Sequence, residues 1–198
     1  MPKYHRNYND QRSAISWARR ILKSKRKFVI MDTETTGLGT RDEIIQLAVI
    51  NLDGSVLFDQ KIKPTSKKTI SPEASKIHGI KMKDLEECPT FKVLKKPLKK
   101  AIGRKTIITY NAEFDKKMYF RTYQLAGGFL PKGNWECAML EYAKYAGEWN
   151  EYYKDYKWQK LEGGDHTAVG DCIATLDLIK SMANSIKLKR WYEFWIRK

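Results

Sequence analysis

The stretch Val29-Ile30-Met31-Asp32-Thr33-Glu34-Thr35-Thr36-Gly37-Leu38 decides the fold. Its apolar, partly β-branched beginning predicts a buried strand over 28–32. Residues two apart on a strand share a face, so Asp32 and Glu34 aim their carboxylates the same way at the end of that run. Two such groups repel each other unless a cation sits between them. Hard oxygen donors of this kind suit Mg²⁺ or Mn²⁺. The segment therefore predicts a metal-dependent enzyme.

Working outward, residues 43–51 and 55–64 predict two further strands joined through Leu52-Asp53-Gly54, whose Asp-Gly is a hairpin signal. Three strands in close succession predict an antiparallel meander. Residues 72–77 predict a short helix with Ser71 as N-cap and proline at its first position. A longer helix is expected over 91–102, which Pro97 should interrupt or kink. Residues 105–110 predict a β-branched strand. Asn111 can then cap a helix over 112–126 that ends at Gly127-Gly128. A short strand at 135–137 precedes a helix at 138–146, residues 148–164 read as irregular, and the last core helix spans 168–185. Strands that come first and then alternate with helices predict an α/β fold with a mixed sheet flanked by helices.

The ends of the chain differ from its middle. Residues 1–11 are polar and are expected to be loose. From Ser13, apolar groups recur at Ala14, Ile15, Trp17, Ala18, Ile21 and Leu22, a helical spacing with basic residues on the other side. An amphipathic helix laid on the domain fits this pattern. The expected organisation is a basic N-terminal extension over 1–26, one domain over 27–185 and a basic aromatic tail over 186–198. A chain of 198 residues suits one well-packed domain and an appendage.

Composition excludes several classes. No apolar run approaches the roughly 18 residues of a membrane span, and the basic N-terminus lacks the apolar region of a signal peptide. Cys88, Cys137 and Cys172 are odd in number and far apart, without a Cys-x-x-Cys. A disulfide framework or zinc ribbon is thus not expected, and a cytoplasmic location is. The net charge of +15 points to a polyanionic partner, nucleic acid being the usual one. Residues 1–27 carry nine Lys and Arg against Asp10 alone, and residues 187–198 carry five against Glu193.

Two more carboxylates complete the chemistry. Asp115 and Asp171 each fall in the first turn of a predicted helix. If both helices converge on the end of the 28–32 strand, four carboxylates surround one volume. Such a set holds two divalent ions roughly 3.5–4 Å apart, the spacing used for in-line attack on phosphate. His166 follows Gly163-Gly164-Asp165 in the loop before the last helix. A loop histidine there can deprotonate an attacking water, its pKa lying near neutrality, or it can orient a neighbouring carboxylate. The residues alone leave both roles open.

Taken together, Asp32-x-Glu34-Thr35-Thr36-Gly37-Leu38, Asn111-Ala112-x-Phe114-Asp115 and His166-x-Ala168-x-x-Asp171 resemble the DEDDh group of 3′–5′ exonucleases. That group includes the proofreading epsilon subunit of the bacterial replicative polymerase and ribonuclease T. The resemblance covers about residues 27–185. It implies a ribonuclease H-like mixed five-stranded sheet and two Mg²⁺ or Mn²⁺ ions held by Asp32, Glu34, Asp115 and Asp171. His166 would be the base, and nucleoside 5′-monophosphates would leave from a 3′ end. The same resemblance implies that Thr35, Thr36 and Leu38 line the pocket for the last base and its 3′-hydroxyl. It also gives the Ile77-His78-Gly79-Ile80 loop, through His78 and Ile80, and Asn111 contacts to the terminal nucleotides. His78 is weighed equally as a loop residue that caps the next helix. Tyr110 stands where many relatives have His.

The substrate expected is single-stranded nucleic acid, with DNA favoured over RNA. The alternatives are RNA 3′-end trimming of the ribonuclease T type, a non-catalytic nucleic-acid-binding module and a subunit that associates with a polymerase or replication partner. Between residues 145 and 158, Tyr145, Trp149, Tyr152, Tyr153, Tyr156 and Trp158 are interleaved with Lys154 and Lys157. Aromatic faces beside cations can hold single-stranded nucleic acid, while at least half of these rings are expected to pack under the loop.

Overall fold

The computed structural model describes residues 8–66, 69–128 and 133–185; the expected tail at 186–198 and residues 1–7 lie outside the described residues. β1 (Phe28–Thr35) runs three residues beyond its predicted end, so Asp32 and Glu34 lie within the strand, opposite Ala48 and Gln46 of β2 (Ile44–Ile50). β3 (Val56–Lys61) pairs antiparallel with β2. The two are joined through a turn in which Asp53 Oδ1 accepts from the Ser55 amide and hydroxyl. On its other side β1 pairs parallel with β4 (Thr106–Thr109), and β4 pairs parallel with β5 (Trp135–Cys137). The strand order is β3-β2-β1-β4-β5, a mixed five-stranded sheet whose first three strands are antiparallel.

Strand alternation gives the sheet two apolar faces. Val29, Met31, Leu47, Val49 and Ile107 pack with Phe91, Leu94 and Leu98 of α3 (Phe91–Ile102) and Met118 and Tyr119 of α4 (Ala112–Leu125). Phe28, Ile30, Ala48, Ile50 and Ile108 pack with α6 (Ala168–Asn184), through Cys172, Leu176, Ile179 and Met182, and with Ala138 of α5 (Ala138–Ala146). Ala18 and Ile21 of α1 (Tyr8–Lys23) belong to this second layer. Between β3 and α3 lies the short helix α2 (Pro72–His78), whose Ser71 hydroxyl accepts from the Ala74 amide and whose Gly79 closes it in the left-handed region.

Three differences from the sequence reading have physical causes. Pro97 does not interrupt α3, which is helical throughout. The proline is exposed, and the helix keeps Phe91, Leu94, Leu98 and Ile102 in the core. α1 begins at Tyr8 rather than after residue 11, because Gln11 is buried and its side-chain amide donates to the Tyr145 carbonyl. Within 148–164, β6 (Trp149–Asn150) and β7 (Asp155–Tyr156) form a small hairpin. No helix among the described residues is long and apolar enough to cross a membrane.

Candidate active site

Asp32 and Glu34 sit on the β1 face covered by α6, and the first turn of α6 brings Asp171 to them. One carboxylate oxygen from each of the three lies within 4.8 Å of the others. Asp115 reaches the same region from the opposite layer. It is buried at the start of α4, and the hydroxyl of Thr33, the β1 residue that points to that side, donates to its Oδ1 at 2.8 Å. The structure therefore gathers three of the expected ligands into one cluster and seats the fourth behind it.

The electrostatics follow from burial without cations. Desolvation raises the Asp32 carboxyl well above its usual range, and the charges of Asp115, Glu34 and Asp171 add to the effect. Glu34 is pushed up to about 8 by desolvation and then by Asp171, Asp115 and Asp165. Asp115 rises to about 7 through desolvation, opposed by the Thr33 hydroxyl bond. Desolvation also raises Asp171, opposed by the hydrogen bond from the His166 amide and by the His166 side chain. Two unit charges at the cluster's spacing repel by about 3 kcal/mol at an effective dielectric near 20. Divalent cations remove that repulsion, so this donor set fits hard metal ions.

The loop before α6 is built around Asp171. His166 has a left-handed backbone (φ 60°), rare for a residue with a side chain, and its amide donates to Asp171 Oδ1 at 3.2 Å. Thr167 caps α6 by accepting from the Gly170 amide, and Asp165 Oδ1 accepts from both the amide and the hydroxyl of Thr167. Gly164 packs so closely that a Cβ there would stand 2.4 Å from Asp171 Oδ1. The His166 side chain is exposed beside the carboxylates.

The expected substrate contacts fare differently. Leu38 is 82% exposed on the loop beyond β1. Thr36 is fully enclosed, its hydroxyl donating to Asp42 and accepting from the Glu43 amide, so its side chain cannot line a nucleotide pocket. Thr35 is buried as well, with its hydroxyl on the Gly37 carbonyl. These two threonines shape the loop instead. His78 accepts from the Ile80 amide at Nδ1 and lies 3.2 Å from the Thr35 carbonyl at Nε2. It thereby ties the end of α2 to the end of β1, and desolvation lowers its pKa. Ile80 is buried. Asn111 Oδ1 accepts from the Phe114 amide and caps α4.

Sequence reasoning missed Thr33, Asp165, Asp42 and Glu43. Asp42 Oδ2 accepts from the Gly39 amide, and the buried Glu43 carboxylate accepts from the Thr65 and Ser66 amides. Thr33 could have been found from strand alternation, which places it opposite its acidic neighbours. The loop carboxylates carry no such signal.

The geometry is matched by kinship. A family profile described as exonuclease matches residues 29–179. The chain belongs to the exonuclease family. This exonuclease is 35% identical over 183 residues to the uncharacterized exonuclease CP81 of Escherichia phage 186, covering 84% of the chain and 92% of that protein. It is 37% identical over 95 residues to the DNA polymerase III subunit epsilon of Rickettsia prowazekii, covering 45% of the chain and 41% of the subunit. Among solved structures, Exonuclease X in complex with 5′ overhanging duplex DNA superposes with a TM-score of 0.54 at 26% identity. That match covers 79% of this chain and 91% of the other. The sheet of this exonuclease is accordingly the ribonuclease H-like one.

Proposed function

We propose that the protein removes nucleotides one at a time from the 3′ end of single-stranded nucleic acid, with DNA favoured, and releases nucleoside 5′-monophosphates. The observation that carries this reading is the cluster of Asp32, Glu34 and Asp171, backed by Asp115. In it Asp32, Glu34, Asp115 and Asp171 would hold two Mg²⁺ or Mn²⁺ ions. Such ions supply an activated water and charge stabilisation on the leaving oxygen. His166 takes the proton from the attacking water, which adds its oxygen to phosphorus as the bond to the 3′-oxygen of the preceding nucleotide breaks. A proton returns to that 3′-oxygen, and the terminal monophosphate departs.

Thr33 keeps Asp115 ionisable, and Gly164 gives Asp171 its room. Leu38, exposed beside the acidic strand, is the one residue of the Thr35-to-Leu38 loop free to touch a terminal base. DNA is favoured because the epsilon relative is a DNA polymerase subunit and the Exonuclease X neighbour carries DNA. The same epsilon likeness supports a second reading, association with a polymerase, for which copurification with a polymerase subunit is the test.

The deciding experiment incubates DNA and RNA oligonucleotides, labelled at the 5′ or the 3′ end, with and without Mg²⁺. Stepwise shortening of 5′-labelled DNA, immediate release of a labelled mononucleotide from the 3′ end and complete arrest by chelator are expected. Degradation that persists in excess chelator, or shortening from the 5′ end, overturns the reading.

A further inference from the structure

Trp158 stands where two cavities meet, and it is 63% exposed. On one side lies a cavity of about 430 Å³ with Glu136, Glu141 and Asp155 in its walls against Lys144 alone. On the other lies a groove of about 460 Å³ with Phe120 and Trp135 in its walls and Lys116 and Lys117 against Glu113. Both are large enough for a nucleotide. Charge decides between them, since a phosphate is repelled from the first and drawn to the second. In the second, Lys116 Nζ lies 5.7 Å from the centre of the Phe120 ring, which sits edge-on to Trp135.

The groove begins at the start of α4, the helix that carries Asp115, with Asn111 and Ala112 in its wall. β1 and β4 are parallel neighbours in which Ile30 pairs with Ile108, so the same register sets Tyr110 level with Asp32. Trp158, although exposed, is held on both sides. The Lys157 amide donates to the Glu148 carbonyl, and the Tyr110 hydroxyl donates to the Gln159 carbonyl. Tyr110 stands between the end of β4 and the Asn111 cap of α4. Its hydroxyl fastens the Trp158 segment to the end of β4.

Resting on the exonuclease reading above, we propose that this groove carries the single strand upstream of its 3′ end. A base stacks on Trp158, and the phosphates pass Lys116 and Lys117. Tyr110 acts as a positioning residue that keeps the indole in place. Of the six aromatic residues between 145 and 158, three serve the fold: Tyr145 meets Ser185, and Trp149 packs edge-on against Tyr156, which donates to Asp10. Of the other three, Tyr152 and Tyr153 pack edge-on against each other away from the groove, and Trp158 is the ring in its wall, an exposed face of the kind that stacking requires.

The test measures binding of fluorescent single-stranded DNA, of either about twelve or about three nucleotides, to the full chain in chelator, where nothing is cleaved. Trp158→Ala should weaken the longer strand by roughly fivefold or more, the range of one lost base stack, and affect the trimer far less. Tyr110→Phe should weaken it in the same length-dependent way but less. Lys116→Glu with Lys117→Glu should weaken it further and reduce its salt dependence. An iodinated uracil moved along the strand should cross-link to Trp158 at one upstream position. Unchanged affinity of folded Trp158→Ala and the double lysine variant, while wild type still shortens DNA from its 3′ end, overturns the groove and leaves the exonuclease reading intact. Weakened binding in a protein that never cleaves overturns the exonuclease reading and leaves the groove. Should Trp158→Ala not fold, the lysine pair and the cross-link position decide.

Discussion

Glu34 keeps its proton to about pH 8 in the absence of metal, whereas an unfolded glutamate loses it near 4.5. Between these values the folded chain binds more protons than the unfolded one, so stability falls as pH rises through that window. Asp32 and Asp115, raised by the same burial, push in the same direction. The melting temperature in chelator should therefore be higher at pH 5 than at pH 8, and Mg²⁺ should remove most of the difference; a pH-independent melt would contradict the clustered carboxylates. His166 supplies a second residue-scale prediction. Its left-handed backbone means that His166→Gly removes the imidazole while relieving strain. That variant should melt no lower than wild type yet turn over about 10²–10⁴-fold more slowly. A loss under tenfold, with the acidic limb of the pH–rate profile unchanged, would leave His166 a positioning group. Gly164→Ala forces Asp171 to move and should lose most activity while the far-ultraviolet dichroism is retained. The meeting of Asp32, Glu34 and Asp171 was legible in the sequence, because their spacing on a strand and at a helix start constrains where they point. The enclosure of Thr36 was not, since its partners Asp42 and Glu43 are acidic residues with no periodic signature.

Among the elements, α1 shows how charge can mask packing. Four of its sixteen residues are Arg or Lys, yet Ala14, Ala18 and Ile21 are fully buried against α5, α6 and the sheet. Trp17 and Arg20 both donate to Glu136, and Arg19 donates to the carbonyls of Ala183 and Ser185 at the end of α6. Two of the four basic residues of this helix, Arg19 and Arg20, are thus engaged within the protein. Ile21→Ala should cost about 2–4 kcal/mol, read from urea unfolding. Deleting residues 1–26 should abolish cooperative unfolding altogether, whereas a soluble truncated protein that melts normally would return α1 to the role of an appended arm. The amphipathic period was legible, but what its apolar face covers was not, because the partner residues lie more than a hundred positions away. The helix continues through Pro97 for a related reason: propensity is local, while the core contacts of Leu94 and Leu98 are not.

For the molecule as a whole, a mixed sheet flanked by helices could be anticipated from the succession of strands and helices, but the strand order and the division of the carboxylates between the two faces could not. Asp171 arrives with one helical layer and Asp115 with the other. Asp32→Asn or Asp171→Asn should each reduce cleavage below detection and raise the metal-free melting temperature, as repulsion in the cluster is relieved. Near-normal turnover by either variant would move the site elsewhere. The split has a consequence for a chain that is still folding. A form in which only one layer has docked possesses at most part of the acidic set. A nuclease that acquired its chemistry early would meet nucleic acid while half-made, whereas here destructive capacity is expected to appear only once both layers have docked. Refolding followed by turnover should lag behind refolding followed by secondary structure.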